Sequence, residues 1–182
     1  MRPIVAYQGV PGAFGEEACR RFLPDHEPVA QPSFAAVADA VLAGAAARGM
    51  LPRTNSTVGP VPGIEALLER DGISVCASHK LPVRLHLMAR PGTTLETVKT
   101  VVSHPIALGQ CADFLASHGL VPEAAENTAM AARALAGPDK AAVASEAAAE
   151  AYGLTILIRD VHDRPDNATT FCIVARSDGD RS

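Results

Sequence analysis

Hydroxyl and amide side chains gather at a few places along this chain: Arg53-Thr54-Asn55-Ser56, Ser103-His104, Gln110-Cys111, Thr128, and Thr169-Thr170-Phe171. Such groups orient oxygen atoms and hold anions by hydrogen bonding. Asn55 and Ser56 are turn formers as well as candidates to line a site. Ser103 and His104 fall between a predicted strand and a predicted helix, where a side chain reaches an anion. Thr128 stands at a predicted helix start, as cap, anion contact or both. Cys111 reads as packing rather than nucleophile, because no basic neighbour in sequence would activate its thiol. Taken alone, Thr169 is an ordinary β-prone residue beside Phe171.

The elements that must position these residues follow from periodicity. Ile4 to Tyr7 is a short strand leading into Gln8-Gly9-Val10-Pro11-Gly12, and Glu16 to Phe22 is a helix with acidic residues in its first turn. No Lys-Ser/Thr pair follows the glycines and no full GxGxxG is present, which argues against a nucleotide site. An anionic group at the helix start is compatible with the pattern. Ser33 caps a helix from Phe34 to Leu42. Gly49 to Pro52 is a buried strand, residues 53–59 a polar loop, and Ile64 to Leu68 a short helix. Strands are expected at Ile73 to Ala77, Leu81 to Ala89 and Val98 to Val102. A helix then spans about Ile106 to His118, ended by Gly119. Asn127 or Thr128 caps Ala129 to Leu135. Lys140 to Ala144 is a strand and Glu146 to Tyr152 a helix, and the last strands are Leu154 to Ile158 and Phe171 to Ala175, with a polar loop over residues 160–170 between them. Residues 177–182 read as a frayed tail. The alternation makes this an α/β fold.

Composition narrows the function classes. With 48% hydrophobic and 20% charged residues among 182, the chain is globular. At 4% aromatics and no Trp, its core must be built from Ala, Val, Leu and Ile. A net charge of -4 gives no nucleic-acid footprint. No apolar run approaches the roughly 18–20 residues that span a bilayer, and the N-terminus lacks a signal-peptide pattern. The four cysteines form no CxxC and no zinc spacing, so free thiols, no metal and a cytoplasmic location are expected.

Several segments in order resemble the catalytic domain of prephenate and arogenate dehydratases: Ala6 to Phe14, Gly49-Met50-Leu51-Pro52 with Asn55-Ser56, Ser103-His104-Pro105 with Gln110-Cys111, Thr128-Ala129, Tyr152-Gly153-Leu154, and Asn167-Ala168-Thr169-Thr170-Phe171. The similarity runs from about Ile4 to Arg176. It implies two small α/β lobes around a central cleft, periplasmic-binding-protein-like, with 1–76 plus 161–182 as one lobe and 77–160 as the other. It also implies a homodimer or homotetramer. The chain ends after the last catalytic-lobe strand, so the ACT domain that senses phenylalanine in the family is not expected.

The implied reaction expels water and carbon dioxide from prephenate, a small carboxylate substrate, to give phenylpyruvate without a cofactor. The resemblance makes Thr169 the proton donor. It places Asn55, Ser56, Arg53, Thr54, Ser103, Gln110, Thr128, Thr170 and Phe171 about the substrate. The sequence departs from the family where it matters. The Ile-Glu before Asn-Ser is Arg53-Thr54, a Gly-Glu pair is Ala77-Ser78, and the Arg of the last motif is Thr170. Arg53 is then a candidate for the lost carboxylate clamp. These changes keep open a redirected member of the family, such as a non-aromatising prephenate decarboxylase or a tropone-pathway enzyme, and a non-catalytic protein that binds small acids.

Overall fold

The computed structural model describes residues 1–177, and the tail expected to fray lies, beyond Ser177, outside the described residues. The chain divides into two compact units, one of Met1–Val10, Phe14–Pro82 and Asp166 onward, the other of Pro11–Ala13 and Val83–Pro165. The main crossings fall at 82/83 and 165/166. The first falls after 76/77 because one strand, β5 (Ile73–Pro82), runs unbroken through that point.

The first unit holds β1 (Ile4–Gln8), α1 (Phe14–Phe22), β2 (Glu27–Gln31), α2 (Phe34–Leu42), β3 (Arg48–Asn55), β4 (Gly59–Pro60), α3 (Ile64–Leu68), β5 and the final strand, β11 (Ala168–Arg176). Its sheet has the order β2-β1-β3-β11-β5, with β4 paired to β3. β1 lies parallel to β2 and β3, and β11 runs antiparallel between β3 and β5. Ser33 caps α2 by accepting the Ala36 amide at 3.1 Å. One face of the sheet packs Ala6, Leu51, Cys172 and Val174 against Val37 and Val41 of α2 and Ile64 and Leu68 of α3. Gly49 is required there, since a Cβ would lie 2.9 Å from both Val174 and Val37.

The second unit holds β6 (His86–Ala89), a 3₁₀ turn (Leu95–Thr97), β7 (Thr100–Ser103), α4 (Pro105–Gly109), α5 (Ala112–Ser117), β8 (Val121–Ala124), α6 (Thr128–Arg133), β9 (Lys140–Ala144), α7 (Glu146–Tyr152) and β10 (Thr155–Ile158). Its sheet order is β10-β6-β9-β7-β8. The core under α6 and α7 is mostly alanine with Met88 and Leu135, the small-residue core that the composition requires.

Four expectations are corrected. The strand expected over Leu81 to Ala89 is split, its first two residues closing β5 and His86–Ala89 forming β6 in the other sheet. The single helix over 106–118 is two helices, because Asp163 accepts the amides of Asp113 (3.2 Å) and Phe114 (3.4 Å) and starts a second helix at Ala112. The polar loops over 53–59 and 160–170 are shorter, since 53–55 extend β3 and 168–170 extend β11. Besides the short β4, two further strands, β2 and β8, are additional. Both are edge strands that carry Pro and bury little, which hides the alternating pattern of a strand.

Candidate functional site

In the first unit, β3 ends at Asn55 and the antiparallel β11 begins at Ala168, so both reach the same end of the sheet, outside the carboxyl ends of β1, β3 and β5. Open α/β sheets bind ligands at this end. Asn55 stands directly opposite Thr169 in register. Its Nδ2 donates to Thr169 Oγ1 at 3.0 Å and to Asn167 Oδ1 at 2.9 Å. Its Oδ1 accepts the backbone amides of Thr57 (2.9 Å) and Val58 (3.1 Å), an Asx turn that closes the strand end. Those two donors fix the orientation of the amide: the oxygen must face the turn and the nitrogen must face Thr169.

A neighbour that only donates forces the Thr169 hydroxyl to accept on that side. Its own hydrogen finds no acceptor among the described residues and is left for a ligand. Asn55 and Asn167 are buried, while Thr169 is half-buried. Thr57 Oγ1 completes the group, 3.5 Å from Asn167 Oδ1. Ser56 plays a different part. Its Oγ donates to the Asp166 carbonyl (3.0 Å) and accepts the Ala168 amide (2.9 Å), which fixes the entry of β11.

The remaining candidates of this unit separate by face. Successive residues of a strand point to opposite faces, so Thr170 lies on the side of Cys172 and α3, away from Thr169. Thr54 pairs with Thr170 and both are half-buried. Phe171 is core, 3% exposed. Arg53 is the extra residue of a bulge, because Thr170 pairs with Thr54 and Phe171 with Pro52. The bulge turns its side chain to α3, where Nε and Nη2 meet Glu65 Oε1 and Oε2 at 2.6 and 3.0 Å. That pairing raises the guanidinium pKa and satisfies the group expected to clamp a carboxylate. Ser78 sits 3.4 Å from Cys172 Sγ, a neutral contact.

Ser103, Gln110 and Thr128 belong to the second unit. Ser103 is fully buried and donates to the Val143 carbonyl at 2.7 Å. Gln110 ends α4, and its backbone carbonyl accepts from Asp163 at 2.8 Å. Thr128 is the first residue of α6, while the cap is Asn127, whose Oδ1 accepts the Met130 amide at 2.7 Å. His104 caps α4 through Nδ1, at 3.1 Å from the Ile106 amide. Cys111 is buried and its thiol is pushed up to about 12 by burial, an inert thiol. Among the described residues, no group of three or more His, Cys, Asp or Glu converges to hold a metal. The glycine loop packs against protein: a Cβ at Gly12 would lie 2.6 Å from Ala148 Cα, and the Gly12 carbonyl accepts from Ser145 Oγ at 2.7 Å.

Residues 5–179 match the sequence model of prephenate dehydratase. The chain belongs to the prephenate dehydratase family. It is 42% identical over 178 residues to the Arabidopsis thaliana chloroplastic arogenate dehydratase/prephenate dehydratase 2, covering 96% of this chain and 47% of that protein. It is 38% identical to a bifunctional N-acyl-homoserine lactone acylase/prephenate dehydratase of Komagataeibacter europaeus, covering 95% of this chain and 63% of the relative. The chain thus spans about half the length of the curated plant relatives it matches. Among solved structures, the Arthrobacter aurescens prephenate dehydratase in complex with L-Phe superposes with a TM-score of 0.87 at 27% identity, over 95% of this chain and 60% of that one. A periplasmic substrate-binding protein from Coxiella burnetii shares the fold, at TM-score 0.51 and 13% identity.

Two residues of the polar cluster, Asn167 and Thr57, were not among the site residues expected from sequence. Asn167 is visible in the Asn-x-Thr spacing ahead of Phe171. Thr57 carries no signal beyond following Asn55-Ser56. Among the described residues, no helix is long and apolar enough to cross a membrane.

Proposed function

We propose that this chain dehydrates and decarboxylates a small cyclic diene acid, prephenate or its amino counterpart arogenate, to the aromatic product. Loss of carbon dioxide leaves an electron pair that enters the ring, and the ring hydroxyl departs with a proton as water. Aromatisation supplies the driving force, and an acid at the leaving oxygen lowers the barrier. The observation that carries the reading is the Asn55–Thr169 hydrogen bond, which makes the Thr169 hydroxyl accept from protein and leaves its proton for the leaving oxygen. Asn167 and Thr57 hold the Asn55 amide in that pose, and Ser56 holds the start of β11. Gln110 and Thr128, both half-buried in the second unit, are candidate substrate contacts.

Incubation with each acid at neutral pH tests this reading, with products followed by mass and ultraviolet absorption. Phenylpyruvate or phenylalanine is expected. Thr169→Val is expected to lower kcat by roughly 10²- to 10⁴-fold, with Thr169→Ser retaining most of it. Full activity in Thr169→Val refutes the donor.

A second reading is favoured by Thr54 and Thr170, neutral residues where the family pattern carries Glu and Arg: decarboxylation with the ring hydroxyl kept. A product lighter by carbon dioxide alone selects it, and unchanged acids point to binding without turnover. Self-association as a dimer or tetramer and a cytoplasmic location complete the proposal, and light scattering checks the first.

A further inference from the structure

The chain passes between its two units at 82/83 and 165/166, and the two segments that make these crossings meet inside the second unit. Residues 84–86 lie against residues 160–162 there. The Val161 amide donates to the Leu85 carbonyl at 2.9 Å. Two further bonds run through histidine rings, one in each direction. His86 Nδ1 accepts the Asp160 amide at 3.0 Å, and His162 Nδ1 accepts the Leu85 amide at 3.3 Å. A backbone N–H only donates, so neither Nδ1 carries a hydrogen and both rings are neutral. Among the described residues, Asp160 is the non-glycine residue with positive φ, at +53°, a conformation that Asp adopts more readily than most side chains. In that pose its amide meets His86 and its carboxylate meets Arg84 Nη1 at 3.1 Å.

The charges around the rings are already engaged. Asp160, Arg159, Glu146 and His162 act on His86. Asp160 is paired with Arg84, and Glu146 of α7 with Arg159 at 2.7 Å. The residue of β9 opposite His86 is the neutral Ala144. Beside His162, the Asp163 carboxylate accepts the Asp113 and Phe114 amides. A proton added to either ring would therefore meet a backbone N–H, with each of these carboxylates held elsewhere. Burial of His86 favours the neutral ring as well.

We infer that His86 and His162 form an acid-released latch between the two crossing segments. Protonation places a hydrogen on Nδ1, sets two donors against each other and frees the partner amide. Imidazole is the side chain that changes charge in mild acid. Each ring grips the other's segment, and the Val161–Leu85 bond lies between them. Release therefore loosens 84–86 and 160–162 together, while the ladders of β9 and β11 stay paired. The alternative is two rings that only pack, with amides that stay protected until the whole protein unfolds.

Amide hydrogen exchange followed by NMR, with each rate divided by the intrinsic rate at that pH, tests the latch and needs no substrate. In wild type, protection of the Leu85 and Asp160 amides is expected to fall about tenfold or more between roughly pH 7.5 and 5, with amides inside β9 and β11 unchanged. In His86→Asn/His162→Asn a side-chain oxygen that does not take up a proton replaces each Nδ1, and protection should hold across that range. Wild-type protection independent of pH, an equal fall in the double variant, or a matching fall throughout β9 and β11 overturns the latch. Should the double variant not fold, the imidazole nitrogen-15 shifts of the wild type decide. Both rings should show a bare Nδ1 at the upper pH and gain a hydrogen there over the range in which the two amides are released. A hydrogen on either Nδ1 at the upper pH, or protonation without release, overturns the inference.

Discussion

The side-chain nitrogen of Asn55 lies 3.0 Å from the hydroxyl oxygen of Thr169, while its oxygen is held by two backbone amides of the following turn. Asn55→Asp keeps the oxygen that closes the turn but replaces the donor with an acceptor. The Thr169 hydrogen would then point at the new carboxylate and away from substrate. A fall in kcat of about a hundredfold is expected, with KM changed far less. Stopped-flow or steady-state assays check this, alongside a melting curve to show that the fold survives. Undiminished kcat would mean that the direction of this hydrogen bond is irrelevant.

Arg53 is bound bidentately to Glu65 on the α3 side of the sheet, the face away from Thr169. Arg53→Ala is expected to leave KM and kcat at wild-type values, as is Glu65→Ala. A raised KM in the first variant and not in the second would return Arg53 to the substrate.

At Gly12 the backbone adopts φ +85°, and a Cβ would press on the Ala148 backbone at 2.6 Å. Gly12→Ala combines left-handed strain with that overlap. It is expected to destabilise the protein by about 2 kcal/mol or more, read as a lower urea midpoint. An unchanged midpoint would show that α7 yields at no cost.

His86 is buried, and its Nδ1 accepts the Asp160 amide at 3.0 Å. Burial lowers its pKa in the folded state, whereas the unfolded chain takes up the proton near the ordinary value of about 6.5. The neutral ring's contribution is complete above that pH. It is lost as pH falls from about 6.5 toward the lower folded value, because the unfolded state binds the proton first. Urea midpoints between pH 7.5 and 5 should fall in wild type and fall less in His86→Asn. Parallel curves would assign the acid sensitivity to other groups.

Much of the fold was legible because each element carried its own signal. The Ser33 cap with a helical spacing of Phe34, Val37, Ala38 and Val41 marked α2 at its observed bounds, and Gly153 in the left-handed region closed α7. What escaped was set by tertiary partners. Asp163 interrupts a helix that sequence alone continues, and Thr169 and Thr170 become strand only because β3 and β5 flank them. The site divides in the same way. Asn55 and Ser56 announce a turn, and Thr169 stands out through family resemblance. The sequence carried no hint that Arg53 would be spent on Glu65, since a bulge at that residue chooses the face to which it turns.

The cysteines divide by reach. Cys19, Cys111 and Cys172 are buried, and burial as the main cause pushes the thiols of Cys19 and Cys111 up to about 12, whereas Cys76 is exposed on β5. The unaltered protein therefore offers one fast thiol for a maleimide dye or spin label. That handle sits on β5, the strand paired with β11 that carries Thr169, so a probe can be placed in the first unit without any engineered cysteine.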